Sequence, residues 1–185
     1  MKAYRTILLA VIATVSTCIL VVDIATPLTV EKIGLERMTR ESNVIIYGRI
    51  RSTYSQWEGK NIFTYSSIQV YESPKGWSER TVIVKQTGGK VGDIGLEVDG
   101  TPKLNRGEDV VLFLVQWQGH LWIHSIVLGK FSVVREEGDL VAYNDLNNVG
   151  LIDPVTKQEI VDPTKKTNHF PLASFMSEIR SYIND

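Results

Sequence analysis

The chain has 185 residues, of which 43% are hydrophobic and 22% charged, and its formal net charge is −1. This length favours one domain, and this composition is that of an ordinary globular protein rather than a disordered chain. The nearly neutral charge lacks the basic footprint of nucleic-acid-binding proteins, so we expect no nucleic acid among the partners.

The N-terminus carries the pattern of an export signal. Lys2 and Arg5 precede the uncharged run 6–22, which ends at Asp23. A basic start followed by an apolar stretch is typical of secretory signals. The run is long for a signal peptide and at the short edge for a membrane span, and Asp23 makes a poor cleavage site. We therefore predict that residues 1–25 are a signal peptide or a signal anchor. The protein is then extracytoplasmic, either secreted or anchored with membrane contact through residues 6–22.

The single cysteine, Cys18, lies inside the uncharged run. It is followed by apolar residues rather than by a polar mature chain, so lipidation is the less favoured interpretation. The predicted domain, residues 28–185, contains no cysteine. It therefore has no disulfide and no thiolate nucleophile or metal ligand, and we expect its fold to be independent of metal and redox state.

After the signal, a short helical pattern gives way to strands. Val30 to Glu41 has helical spacing, and from Val44 the period becomes two, with β-branched and aromatic residues. Gly48 in the first strand predicts a bulge or a sharp bend. The predicted strands cover residues 44–54, 62–72, 81–86, 94–98, 109–117, 120–126, 131–135 and 140–143.

Two segments of this pattern are especially well defined. The run 110–115 is apolar without a break, which predicts a strand covered on both faces, with Leu112 and Leu114 in the core. After a loop-rich stretch, 144–168, Pro171 suits the first turn of an amphipathic helix. The predicted fold is mainly β: a small OB-like β-barrel with a short N-terminal helix, a C-terminal amphipathic helix and the signal or anchor helix.

Short motifs spread over residues 35–135 carry a resemblance to a known family. They include Ser42-Asn43-Val44-Ile45-x-x-Gly48, Pro74-Lys75-Gly76, Gly88-Gly89-x-x-Gly92, Gly107-Glu108-x-Val110 and Gly129-Lys130-Phe131. With them the chain resembles an uncharacterised family of exported prokaryotic proteins, which in turn is similar to the netrin-like domain of tissue inhibitors of metalloproteinases. The resemblance implies a five-stranded OB-type barrel. It does not imply protease inhibition, because those inhibitors use an N-terminal cysteine and the predicted domain has none.

The sequence predicts no catalytic, cofactor or metal site. His120 and His124 are four residues apart in a predicted strand, which separates them by about 13 Å, too far to share one ion. The glycine-rich segment 88–92 lacks the Ser/Thr and the helix that a phosphate loop requires, so it is predicted to be a barrel loop. A calcium site stays open as an alternative for two polar clusters, although neither has EF-hand spacing. They are Asp93, Glu97 and Asp99, and Asn144, Asp145, Asn147 and Asn148.

The tryptophans are the most informative side chains for function. Trp117 and Trp122 flank a hairpin turn at Gln118-Gly119, and OB barrels bind ligands on a face that carries aromatic residues. Together with Trp57 they form the predicted binding surface. Taken singly, each of them is better explained by packing in the core or at the rim, as are the other large aromatic residues Tyr65 and Trp77.

The predicted function is a non-enzymatic, extracytoplasmic binding or protein-interaction module, whose partner is a protein or another envelope component. The alternative is an enzyme or enzyme accessory subunit at the cell surface. A structural component of the envelope is a third possibility.

Overall fold

A computed structural model of the chain describes residues 29–146, 149–162 and 167–184. The predicted signal or anchor, residues 1–25, lies outside these ranges. Neither helix in the described part of the chain is long and apolar enough to cross a membrane. The helices are α1 (Leu35–Glu41) and α2 (Leu172–Asn184), and the strands are β1 (Thr29–Glu31), β2 (Val44–Glu58), β3 (Asn61–Lys75), β4 (Thr81–Thr87), β5 (Gly89–Val91), β6 (Ile94–Leu96), β7 (Asp109–Trp117), β8 (His120–Ile123), β9 (Lys130–Glu136), β10 (Asp139–Asp145), β11 (Gly150–Ile152) and β12 (Thr167–Pro171).

Five of these strands form a sheet that closes partly on itself. β2, β3 and β4 pair in antiparallel order, and β7 pairs antiparallel with both β2 and β8. The circuit is completed by a parallel pairing of β4 with β8, which consists of one residue pair, Val84 with Leu121. The prediction of a mainly β fold with a small, barrel-like sheet is confirmed at this level.

β7 is the central strand, and its apolar run faces two different cores. Val110, Leu112 and Leu114 point into the barrel, where they pack with apolar side chains of β2, β3, β4 and β8. Val111 and Phe113 point outward and pack beneath α2. Because successive side chains of a strand alternate between faces, a strand covered on both sides has to be apolar throughout. The predicted coverage of β7 and the core positions of Leu112 and Leu114 are confirmed.

One edge of β7 is shared between two partner strands. Residues 109–112 pair with β9, whereas residues 114–117 pair with β8. The change of partner falls at Phe113, whose N–H donates to the Gly129 carbonyl at 2.9 Å and whose carbonyl accepts from the His124 N–H at 2.8 Å. A side chain at Gly129 would collide with the carbonyl oxygens of Phe113 and His124, so only glycine allows the two strands to separate here. β10 and β12 extend the sheet beyond β9.

The amphipathic helix α2 covers the outer face of this extended sheet. Its apolar stripe consists of Leu172, Phe175, Met176 and Ile179, which are all buried. Phe175 contacts the rings of Phe113 and Phe131, with centroids 6.2 and 4.7 Å away. Each fully buried side chain of this size contributes about 1.5–3 kcal/mol by leaving water. The predicted C-terminal helix is therefore confirmed as the cover of a second core.

The predicted N-terminal helix, Val30 to Glu41, is correct only in its second half. Residues 29–31 form β1, which pairs in parallel with β11, and the helix begins at Leu35 after an extended Gly34. Val30 packs against a small core that includes Leu146 and Leu151. β1 is a strand because it pairs with β11, which lies about 120 residues further along the chain. Local residue spacing cannot reveal such a distant pairing. For the same reason β11 and the first two residues of β12 fall in the segment predicted to be a loop.

Gly48 marks an irregular part of the β2–β3 ladder, as predicted. The register shifts between Tyr47 and Gly48, and a Cβ atom at Gly48 would collide with the carbonyl oxygen of Gln69. Glycine therefore permits a close approach of the two backbones that lets the long hairpin bend around the barrel.

Candidate functional site

The outer half of the β2–β3 hairpin has two chemically different faces. A third register shift of the β2–β3 ladder, between Ile50 and Ser52, makes Arg51 an extra residue in β2, so the alternation of side chains inverts at this point. Beyond it, the face turned away from the barrel interior carries Tyr54, Gln56, Glu58, Phe63 and Tyr65. The face turned toward the interior carries Thr53, Ser55, Trp57, Ile62, Thr64 and Ser66.

The outward side of the hairpin joins residues of β4 and of the β7–β8 hairpin in one cluster. Lys85 of β4 lies directly opposite Tyr65 of β3. The β7–β8 hairpin contributes Trp117, His120 and Trp122, which point to the same side. We call this cluster the aromatic face, and it consists of Tyr54, Glu58, Phe63, Tyr65, Lys85, Trp117, His120 and Trp122.

Trp117 and Trp122 hold each other in place across the β7–β8 hairpin. Their ring centroids lie 5.6 Å apart in an edge-to-face arrangement, and the indole N–H of Trp122 donates to the Trp117 carbonyl at 3.2 Å. Gln118 and Gly119 both have positive φ, which is typical of a tight two-residue hairpin. Trp117 remains 58% exposed, so the hairpin presents one indole ring to solvent in a fixed orientation.

Lys85 lies at the centre of the aromatic face and is nearly fully buried. Its ammonium group lies over the Phe63 ring at 4.2 Å from the centroid, and 5.3 and 5.6 Å from the centroids of Tyr65 and Trp122. Its Nζ donates to Glu58 Oε2 at 2.6 Å. A buried cation requires such compensation, and here three rings and one carboxylate provide it.

The Lys85–Glu58 pair stays charged at neutral pH. Hydrogen bonds from Lys85 and from the Tyr65 hydroxyl lower the pKa of Glu58 to about 2. Burial lowers the pKa of Lys85, but the interactions with Glu58 and Tyr65 outweigh this effect, so the net pKa lies above the usual value. The two charges cancel within the face.

Tyr54 forms the other exposed part of the face. Its ring stacks on that of Tyr65 with centroids 5.3 Å apart and an interplanar angle of 15°. Tyr65 is buried between this ring and the edge of His120, whose centroid lies 5.9 Å away. Tyr54 is 55% exposed, so one side of its ring is covered and the other faces solvent.

The structure brings together two of the three tryptophans predicted to form the binding surface. Trp57 is 46% exposed, but it pairs with Ile62 and therefore lies on the opposite side of the hairpin. The reason is the extra residue Arg51, which inverts the alternation before Trp57 is reached. Trp77 packs against the barrel core instead of joining the face.

Sequence reasoning missed the charged centre of the face and one of its exposed rings. Lys85, Glu58 and Tyr54 were not among the predicted site residues. Phe63 and Tyr65, two residues apart in β3, were a usable signal for one aromatic face, but the position of Lys85 depends on the pairing of β3 with β4.

His120 and His124 lie in different surroundings, in keeping with the expectation that they do not share one ion. His120 belongs to the aromatic face, whereas His124 is buried and its Nε2 lies 3.3 Å from Glu41 Oε2. Burial lowers the pKa of His124, and Glu41 only partly opposes this effect.

Asp93, Glu97 and Asp99, the first polar cluster considered for calcium, do not gather into a metal site, since no group of three or more His, Cys, Asp or Glu residues in the described part of the chain is placed to hold a metal ion. Glu97 lies 3.8 Å from Lys103, and Asn144 is buried and donates to the Leu128 carbonyl at 3.0 Å. Asn147 and Asn148 lie outside the described residues.

A polar cleft of about 770 Å³ lies on the inward side of the hairpin, under the glycine-rich loop 88–105. Thr64 donates to the Gly88 carbonyl at 2.7 Å, and the Gln86 amide donates to the Pro102 carbonyl at 2.9 Å. These bonds hold the loop on the barrel. The Ser66 hydroxyl is buried in the floor and has no hydrogen-bond partner among the described residues. The cleft has no aromatic lining, and its charged residues are exposed at the rim.

Comparison of the chain with protein-family models and with curated protein sequences finds no match.

Proposed function

We propose that this chain is an exported, non-enzymatic binding module built on an OB-type barrel, and that it holds its ligand on the aromatic face. The observation that carries the proposal is the position of that face. It combines exposed rings with an ion pair, formed by the buried Lys85 and the half-buried Glu58, on the outside of β2, β3 and β4 between two hairpin turns.

The strand order supports the OB-type interpretation. Numbered along the chain, β2, β3, β4, β7 and β8 are strands one to five of the barrel, and they neighbour one another in the order one, two, three, five, four and back to one. OB barrels have this arrangement, and they bind ligands on the face of strands two and three between the loops that follow strands one and four. In this chain those strands are β3 and β4, and those loops are the turns of the β2–β3 and β7–β8 hairpins. The netrin-like resemblance points to the same type of barrel.

The chemistry of the face favours binding over catalysis. The charged groups at its centre are Lys85 and Glu58, and they are hydrogen-bonded to each other rather than directed at a reacting group. The exposed rings offer apolar area with little side-chain entropy to lose on binding. The basic, apolar N-terminus supports an extracytoplasmic location, where the partner is a protein or another envelope component.

Retention on isolated cell envelopes tests this proposal. We expect the full chain to bind envelopes and the Trp117→Ala variant to bind much less, because the substitution removes the most exposed ring of the face. Trp57→Ala is a matched control, since it removes an exposed indole from the other side of the same sheet. Equal retention of wild type and Trp117→Ala, or equal losses for the two variants, would count against the aromatic face as the binding surface.

A further inference from the structure

We infer that the aromatic face binds an uncharged oligosaccharide. This inference rests on the proposed function and adds the chemical class of the ligand. It follows from three properties of the face: the orientation of its exposed rings, the polar groups around them and the cancellation of its charges.

The exposed rings are suited to stacking against sugar rings. Tyr54 and Trp117 are both more than half exposed, and each is fixed by a second ring, Tyr65 or Trp122. A pyranose has a face of C–H groups with slight positive charge, and this face is attracted to the negative face of an aromatic ring. Because both rings are already immobilised, little further ordering is required when a ligand stacks on them.

Polar side chains lie next to these rings. Gln56 and His120 are exposed, and Gln56 Nε2 lies 3.4 Å from Glu58 Oε1. An amide, an imidazole and a carboxylate together offer both donors and acceptors. The hydroxyl groups of a sugar also donate and accept, so they can match such a mixed set.

The charges of the face favour a neutral ligand. Lys85 is bonded to Glu58 and covered by rings, so it cannot approach an anionic group without losing these contacts. Lys60, in the turn of the β2–β3 hairpin, is an exposed cation beside the face. Single-stranded nucleic acid requires a groove lined by several basic residues, and one exposed lysine does not form such a groove.

The two exposed rings alone offer less area than a specific protein interface buries. A specific protein interface buries about 800 Å² on each side. Two aromatic side chains bury at most about 500 Å² together, and both rings here are already partly covered. An oligosaccharide of a few units fits this smaller area.

The experiment is a fluorescence titration of the full chain, because Trp117 and Trp122 report directly on the face. Maltohexaose, cellohexaose and chitohexaose are the neutral probes, and hexagalacturonate and oligothymidylate are the anionic ones. We expect at least one neutral probe to bind more tightly than both anionic probes at physiological salt. Trp117→Ala should weaken that binding about tenfold or more through lost ring area, whereas Trp57→Ala should change it by less than about twofold.

A second variant, Glu58→Gln, tests the role of the charges. The glutamine oxygen can still accept from Lys85, but one positive charge is no longer cancelled. We expect hexagalacturonate binding to strengthen several-fold relative to the neutral probe. An unchanged ratio would contradict the argument from cancelled charges.

The outcomes separate this inference from the proposed function. If no neutral probe binds, or if an anionic probe binds more tightly, the inference is wrong. The proposed function would still hold if envelope retention depends on Trp117. Retention that is abolished by protease treatment of the envelopes would identify a protein partner and would likewise overturn the inference.

Discussion

Replacing Leu112 with alanine is a direct test of the central strand. Leu112 is fully buried in the barrel core and lies opposite Ile46 of β2. The substitution removes three carbon atoms, which at about 0.8 kcal/mol each accounts for about 2.4 kcal/mol of lost transfer free energy. A residual cavity of about 50 Å³ would add about 1 kcal/mol, at about 24 cal/mol per Å³. We therefore expect the free energy of unfolding to fall by about 3–4 kcal/mol.

Urea unfolding followed by far-ultraviolet circular dichroism measures this change, provided that the slope of the transition is the same for both proteins. Leu114→Ala should behave in the same way, because Leu114 is equally buried in the same core. Trp117→Ala is the control, and it should cost no more than about 1.5 kcal/mol, since it removes an exposed ring with one edge contact. A loss below about 1 kcal/mol for Leu112→Ala, or equal losses for all three variants, would refute the placement of β7 at the centre of the core.

Three other regions of the molecule give further predictions. The pKa of Glu58 is lowered to about 2, so the contribution of Glu58 to stability is present above about pH 4.5 and is lost as the pH falls toward 2. In acid unfolding, the Glu58→Gln variant should therefore not show the loss of stability between about pH 4.5 and 2 that Glu58 causes in the wild type. Burial lowers the pKa of His124, so stability should fall as the pH drops below about 6.5, and His124→Gln should remove that slope in urea melts made over this range. Ser66→Ala should leave the free energy of unfolding within about 0.5 kcal/mol of the wild type or raise it, because the buried hydroxyl has no partner among the described residues. A thermal melt that shows a larger loss of stability would mean that the hydroxyl is hydrogen-bonded.

Local periodicity was sufficient to predict the strands and helices whose apolar faces are buried along most of their length. The apolar run of β7 is buried on both faces and the stripe on α2 is buried on one, so the spacing of apolar residues records this burial directly. β1, β11 and β12 are short strands, and their hydrogen-bond partners are distant in sequence. Their identity is decided by tertiary pairing, which overrides local preference.

The candidate site was predictable only in part, and Trp57 illustrates why. Counting alternate residues along β2 from Val44 places Trp57 on the outside and Tyr54 on the inside. The extra residue Arg51 reverses both assignments. A bulge of one residue leaves no clear mark on composition, yet it inverts every side chain beyond it. Trp117 and Trp122 were predicted together because a tight hairpin turn fixes their relation within a few residues.

The change of partner on β7 has a consequence for the cooperativity of unfolding. Both the barrel and the outer sheet are hydrogen-bonded to this one strand, and the amide and carbonyl of Phe113 bond to the segments on either side of the separation point. Neither layer can detach without exposing one face of β7 to water. The two cores should therefore behave as one unit in native-state hydrogen exchange, and the amide protons of β7 should exchange only through global unfolding.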